Sequence, residues 1–281
     1  MLLACAIDRN YVELAGVMLR SCHINGNIPH VEFLVLGDGL SQKDKHNIEV
    51  AAARAVTFID MTDEMIGKVR RLRTTSYWSR ATYGRLILPE LLDPRYERLV
   101  YLDADTIVKQ DISHLFEMPL TDALMAAVPI KQTDFLAKRN EMLKRDRDTP
   151  YFNAGVLAVN LKRWNEEGLT QKAFELLATH QFEFLDQDVL NVLATDRLAA
   201  LDWRWNAQKE TDYSSALIVH FIHDKPNTLA CQHTEKATFL EYRKETPWAD
   251  RPLLTKNDKF IRTLKHSAKK RWIKISSLWH N

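Results

Sequence analysis

Cysteine is scarce. The 281-residue chain has three, Cys5, Cys22 and Cys231, widely spaced and with no CxxC pair. That excludes a disulfide framework and a thiolate zinc site, and a reducing, intracellular setting is expected. No stretch approaches the roughly 18 consecutive apolar residues that a membrane span needs, so no bilayer crossing is expected. The opening MLLACAIDRN has no basic segment ahead of its apolar run and reaches Asp8 after only seven residues, too short for a secretory signal peptide. No glycine-rich phosphate loop stands near the N-terminus, which counts against a metal-dependent nucleotidyltransferase.

What is present is ordinary for a globular protein: 46% hydrophobic and 27% charged residues in a length that suits one large α/β domain or two small ones. The net charge of +2 is unevenly placed. Residues 251–281 hold nine lysines and arginines against one acid, Asp258, and residues 1–250 hold 30 basic against 36 acidic residues, a net of −6. Such asymmetry points to a basic tail with a partner of its own. In the tail Phe260, Leu264, Ala268, Trp272, Ile275 and Trp279 recur every three or four residues, with Lys265, Lys269, Lys270, Arg271 and Lys274 mainly off that stripe. A basic amphipathic helix with tryptophans on its apolar side suits an anionic membrane surface. A solvated helix packed on the domain is the structural alternative. No nucleic-acid-binding motif accompanies the charge.

The first hundred residues alternate between two periods. Leu2–Ile7, Val31–Leu36, Val56–Ile59 and Leu99–Leu102 read as buried strands. Tyr11–Ile24, a segment from Ser41 to about Arg54, and Tyr77–Leu88 read as helices. Ser41 with Asp44 three residues on forms a helix-starting cap. Strands separated by helices make a mostly parallel sheet, which binds its ligands beyond the carboxyl ends of the strands. Further on, Met125–Pro129, Phe152–Asn160 and Leu217–Phe221 are expected as strands. Lys131–Thr149 is expected as a solvated helix or lid, Lys162–His180 as a helix interrupted near Gly168, and Asp186–Ala194 as another helix. A boundary is expected near Trp248–Pro252.

In RLVYLDADTIV (98–108) the apolar run ends in Asp103 and Asp105. Two like charges at the end of a buried strand repel and cost desolvation energy. If extended geometry persists, both side chains leave the same face, where they can hold one hard divalent cation. Carboxylate oxygens favour Mg²⁺ or Mn²⁺, and an added imidazole tilts the choice toward Mn²⁺. The alternative is a solvent-facing loop in which Asp105 caps a turn.

That stretch does not stand alone. Together with AIDRNY (6–11), ATYGRLILPELL (81–92), YFNAGVLAVNLKRW (151–164), DQDVLN (186–191) and VHFIHDKP (219–226), in this order and spacing, it resembles glycosyltransferase family 8. It is especially similar to the bacterial lipooligosaccharide and lipopolysaccharide α-galactosyltransferases and glucosyltransferases. The resemblance implies a GT-A fold, a Rossmann-like sheet with flanking helices and a merged acceptor-binding half. The catalytic domain would then be 1–250, with a nucleotide-binding part of about 1–110 and an acceptor part of about 111–250, followed by the 251–281 tail. It implies a retaining enzyme that moves galactose or glucose from a UDP-sugar to a saccharide or glycolipid acceptor. The setting would be cytoplasmic, peripheral on the inner face of the membrane. A non-catalytic nucleotide-sugar-binding relative is the alternative.

The resemblance also assigns roles. Ala6, Asp8 and Tyr11 match positions that hold the uracil. Arg85 matches an arginine on the donor sugar and diphosphate. Asp103 and Asp105 match the metal-binding DxD, with Ala104 turned to the ribose and His220 as the third metal ligand. Lys225 matches a lysine that neutralises the diphosphate. Asn153, Asp186 and Gln187 match residues around the transferred sugar. Two positions depart from the family pattern. His223 stands where a glycine usually lets the backbone approach the phosphates, and Asn227 replaces a tryptophan. Ile130-Lys131 stands roughly where relatives place an acidic sugar-binding residue. Retention by double displacement needs a carboxylate opposite the leaving group. The matched residue is Gln187, flanked by Asp186 and Asp188. Same-face attack is favoured over Asp188 as nucleophile.

Overall fold

The computed structural model describes residues 1–62, 65, 80–255 and 258. The amphipathic stripe expected between Phe260 and Trp279 lies outside them. Strands β1 (Leu2–Asp8), β2 (Glu32–Asp38), β3 (Val56–Asp60) and β4 (Arg98–Leu102) alternate with helices α1 (Val12–Asn25), α2 (Gln42–Ala52) and α3 (Gly84–Leu91). They join β6 (Met125–Ala127), β7 (Val156–Asn160) and β8 (Leu198–Ala200) in a seven-stranded sheet of order β3-β2-β1-β4-β7-β6-β8. β1, β2, β3 and β4 pair in parallel, and β7 is antiparallel to both β4 and β6. The mostly parallel α/β sheet expected from the sequence is therefore present.

Alternation along the strands makes two cores. Leu3, Cys5 and Ile7 of β1 pack with Leu14, Val17 and Met18 of α1 on one side. Leu2 and Ala4 pack with Leu86 and Leu88 of α3 on the other. Residues one apart on a strand face opposite ways, so an apolar run without polar interruption covers both faces. The α2 start is a full capping box: Ser41 accepts from the Asp44 N–H, and the Asp44 carboxylate accepts from the Ser41 N–H at 2.8 Å.

Several elements differ from the sequence expectation. The helix expected at Tyr77–Leu88 is, in its described part, a 3-10 turn at Arg80–Tyr83 followed by α3. The strand expected at Phe152–Asn160 begins only at Val156; the preceding residues form a turn, and Phe152 makes a single bridge to Pro129. The interrupted helix resolves into Leu161–Glu166 and Leu169–Thr179, with Gly168 between them at φ 62°. The positive φ suits glycine, which has no Cβ to clash. Leu254 forms a bridge with Thr228, and Trp248, buried, lies where a side chain on Gly16 of α1 would stand.

A small second sheet brings two distant segments together. β5 (Thr106–Val108) pairs antiparallel with β9 (Ile218–His220), with Thr106 opposite His220. The Phe221 N–H continues this pairing to the Asp105 carbonyl at 2.9 Å. Register thus places His220 beside the DxD segment across more than a hundred residues of chain.

Candidate active site

The carboxyl ends of β1 and β4 open onto a cleft of about 1140 Å³, whose walls include Asp8, Tyr11, Arg85, Asp103, Asp105, Asn153, Gln187, His220 and Lys225. Ala6, Ala104 and Asp186 line it too. Of the residues matched from the sequence, Asp188 alone is absent from these walls. It is fully buried.

The extended geometry expected for Asp103-Ala104-Asp105 is not what forms. β4 stops at Leu102, and the Thr106 N–H reaches back to the Asp103 carbonyl at 3.1 Å, closing a tight turn. The two carboxylates nevertheless converge. Asp103 Oδ1 accepts from Arg85 Nη2 at 2.7 Å, and Asp105 Oδ2 accepts from Lys225 Nζ. Each acid therefore has one oxygen held by a cation and one turned inward. The inward atoms meet His220 Nε2, 3.8 Å from Asp103 Oδ2 and 3.3 Å from Asp105 Oδ1. Ligand atoms of the three residues lie within 4.8 Å of one another. Two carboxylate oxygens and one imidazole nitrogen form a donor set suited to Mn²⁺ or Mg²⁺. Burial would raise the Asp105 carboxyl, but Lys225 and His220 together hold it well below the usual carboxylate range. It is an anion at neutral pH.

Arg85 is the hub of the opposite wall. Besides Asp103 it donates to the Ala154 carbonyl, lies over the Tyr101 ring at 4.7 Å, and places Nε 2.9 Å from Asp186 Oδ2, a charge contact without hydrogen-bond alignment. Burial works against its charge, but Asp103 and Asp186 hold the guanidinium protonated. Burial pushes the Asp186 carboxyl up to about 7, with Arg85 pulling it down and Asp103 adding to the rise.

Helix α8 (Leu185–Leu193) follows helices α4 (His114–Glu117), α5 (Thr133–Met142), α6 (Leu161–Glu166) and α7 (Leu169–Thr179). Its first turn carries Asp186, Gln187 and Asp188. Gln187 Oε1 accepts from Asn153 Nδ2 at 3.0 Å and from the Ala154 N–H at 3.3 Å, and Gln187 Nε2 donates to Tyr151 Oη at 2.9 Å. Tyr151 in turn donates to Asp188 Oδ1 at 2.7 Å. Asp188 Oδ2 accepts from Arg139 Nη2 at 2.5 Å and from the Phe184 N–H at 2.8 Å. Asp188 thus orients its neighbours from behind the wall.

Arg139 belongs to α5, within the segment expected as a solvated helix or lid. Asp134 and Lys138 are exposed, but Arg139 is buried. It bridges Asp188 and Glu183 and stacks on Phe184 at 4.7 Å. Breaking a buried pair by removing one partner costs about 3–5 kcal/mol. Arg139→Met is therefore expected to lower stability by roughly that amount, read as a fall in the denaturant midpoint. An unchanged midpoint would mean that α5 is not pinned through this pair.

His223, Ile130 and Lys131 line the cleft, whereas Asn227 is buried outside its walls. The Asn227 carbonyl accepts from the Leu254 N–H at 2.9 Å, a backbone bond that does not depend on which side chain stands at 227. Burial, Lys209 and Lys225 lower the His223 pKa. Sequence reasoning missed Asn206, Tyr151, Arg139 and Gly155. Tyr151 and Gly155 lie within the stretch 151–164, where the resemblance assigns them no role, and the partners of all four lie up to dozens of residues away.

An open α/β sheet with a carboxylate pair and a histidine gathered at the strand ends is the GT-A arrangement. A family model described as glycosyl transferase family 8 matches residues 2–251, and the chain belongs to that family. It is 27% identical over 274 residues to the lipopolysaccharide 1,3-galactosyltransferase of Salmonella typhimurium, covering 90% of this chain and 80% of that one. It is 34% identical over 200 residues to a lipopolysaccharide 1,2-glucosyltransferase of Escherichia coli, covering 68% of this chain and 57% of that protein. The crystal structure of the galactosyltransferase LgtC with donor and acceptor sugar analogues superposes with a TM-score of 0.76 at 22% identity, over 89% of this chain and 99% of that one. Among the described residues no helix is long and apolar enough to cross a membrane.

Proposed function

We propose that this glycosyltransferase moves galactose or glucose from a UDP-sugar to a saccharide or glycolipid acceptor, with retention at the anomeric carbon, in lipopolysaccharide or related surface-glycan synthesis. The observation that carries the reading is the convergence of Asp103 Oδ2, Asp105 Oδ1 and His220 Nε2 at the mouth of one cleft. A divalent cation held there, Mn²⁺ by the imidazole in the donor set, would stabilise charge on the departing diphosphate.

The chain's own groups do the rest. Asp8 and Tyr11 stand at the end of β1, where an acceptor oxygen and an aromatic ring suit a uracil, and Ala104 lines the wall toward the ribose. Lys225 and Arg85 bring fixed positive charge to the diphosphate, in place before it leaves. Asn153 and Gln187 face the sugar. Gln187 Oε1 already accepts two hydrogen bonds, Asp186 holds Arg85, and Asp188 is buried behind the wall. None of the three offers a free nucleophile. This supports attack from the face that the diphosphate leaves, the diphosphate taking the acceptor's proton. The basic segment at residues 260–281, with its apolar stripe, is the proposed contact with an anionic membrane surface on the cytoplasmic side.

The test is release of UDP from UDP-galactose and UDP-glucose, with Mn²⁺ and after chelation. Turnover that requires Mn²⁺ is expected with at least one donor. UDP binding without transfer or hydrolysis across donors and acceptors would make the chain a nucleotide-sugar-binding relative. Activity only with a nucleoside triphosphate and a sugar phosphate would make it a nucleotidyltransferase.

A further inference from the structure

We propose that Asn206 is the positioning residue for His220: its carbonyl holds the ring by Nδ1–H and so turns Nε2 toward Asp103 and Asp105. The proposal rests on reading those three side chains as a cation seat.

The argument follows a chain of hydrogen bonds whose direction is set by the backbone. The Gly155 N–H, which can only donate, meets Asn153 Oδ1 at 3.0 Å. That fixes which end of the Asn153 amide is oxygen. The Ala154 N–H fixes Gln187 Oε1 as an acceptor in the same way, and Asn153 Nδ2 donates to it. Asn206 then has to present its NH₂ to Asn153 Oδ1, which it does at 3.0 Å. Its remaining atom, Oδ1, faces His220 Nδ1 at 3.0 Å. A carbonyl can only accept, so Nδ1 carries a hydrogen. The nitrogen left for a cation is Nε2, the one that faces both carboxylates.

The surroundings leave the ring few alternatives. Asn206 and His220 are both buried, so water is a poor substitute for either partner. Asn206 sits in a 3-10 turn, Trp203–Asn206, and the next residue, Ala207, forms a bridge with Val219 of β9. The carbonyl that grips the ring is thus mounted beside the strand that carries it. Partners that grip the far nitrogen of a ligating histidine are worth about 10- to 100-fold in metal affinity.

The experiment is Mn²⁺ titration by electron paramagnetic resonance, combined with electron spin echo detection of imidazole ¹⁴N coupled to the bound ion. His220→Gln supplies the blank. Wild type is expected to bind Mn²⁺ with an imidazole signal. Asn206→Leu, which keeps the volume and removes the acceptor, is expected to bind Mn²⁺ about 10- to 100-fold more weakly and to lose that signal. Asn206→Asp still accepts the Nδ1 hydrogen but sets its second oxygen against Asn153 Oδ1, itself an acceptor; it is expected to keep the imidazole signal, with an affinity between those of wild type and Asn206→Leu. If Asn206→Leu does not fold, Asn206→Ser takes its place, with a hydroxyl too short to reach the ring. An acceptor-less variant that keeps wild-type affinity and the imidazole signal would overturn the proposal. So would an Asn206→Asp protein that binds Mn²⁺ without the imidazole signal. Wild type that binds no Mn²⁺ would instead overturn the cation seat, and the proposal with it.

Discussion

Asp105→Asn is expected to reduce transfer by about 10³-fold, roughly 4 kcal/mol of transition-state stabilisation. The substitution changes almost no volume and still allows a hydrogen bond to Lys225. What it removes is charge. Asp105 is the more enclosed of the paired acids, its side chain 9% exposed against 23% for Asp103. It touches both Lys225 and His220. An amide is a weak ligand for a hard cation, so metal affinity and turnover fall together. The damage belongs in kcat as well as in donor affinity, because charge on the departing diphosphate is greatest in the transition state. Steady-state kinetics with UDP-galactose and UDP-glucose at saturating Mn²⁺, beside a thermal melt, measure it. Near-normal kcat in a folded Asp105→Asn protein would show that this carboxylate does not hold a catalytic ion.

Gly155→Ala is the second large effect, and it reaches the same site without replacing a ligand. The backbone of Gly155 is not among the positive-φ positions, so alanine is conformationally allowed. Its methyl carbon is not tolerated: it would stand 2.2 Å from His220 Cε1, 2.6 Å from Nδ1 and 3.0 Å from Asn153 Oδ1. Gly155 also accepts the Asp103 N–H at 2.8 Å, which ties the DxD turn to the same point. The ring cannot stay where it is, and it is too buried and too well bonded to move freely. Forcing a methyl group into a packed site costs about 1–3 kcal/mol. Mn²⁺ affinity is expected to fall at least as far as on loss of a ligand's positioning partner, about 10- to 100-fold. Mn²⁺ titration and a denaturant melt read both. Wild-type affinity in Gly155→Ala would mean that His220 is not seated against this backbone when the ion binds.

Much of the fold was legible in the sequence because parallel strands buried on both faces read as unbroken apolar runs. Leu2–Ile7 and Leu99–Leu102 are such runs, and helical spacing between strands marks the crossovers. The metal-ligand candidates were legible through the resemblance of six ordered segments to one family. The local geometry was less so. An i, i+2 pair of acids converges on an extended strand and also in the turn that actually forms, and sequence does not separate the two. β5 and β8, three residues each, are too short for a period. Arg139 sits among charges that read as a solvated face, and only tertiary packing against Asp188 buries it. Asn206 had no local signal, and Gly155, although inside the stretch 151–164, had none that pointed to a role. Their roles arise from the β5–β9 register and from a chain of side-chain amides that joins segments dozens of residues apart.

The central claim is that Asp103, Asp105 and His220 hold a divalent ion against a nucleotide diphosphate. Calorimetric titration of UDP into the wild-type protein, once with Mn²⁺ and once after chelation, addresses it most directly. UDP is expected to bind at least about tenfold more tightly with the ion, and reciprocally to tighten Mn²⁺ binding by the same factor. In Asp103→Asn and Asp105→Asn that gain is expected to vanish. Equal UDP affinity with and without Mn²⁺ in wild type would contradict the claim.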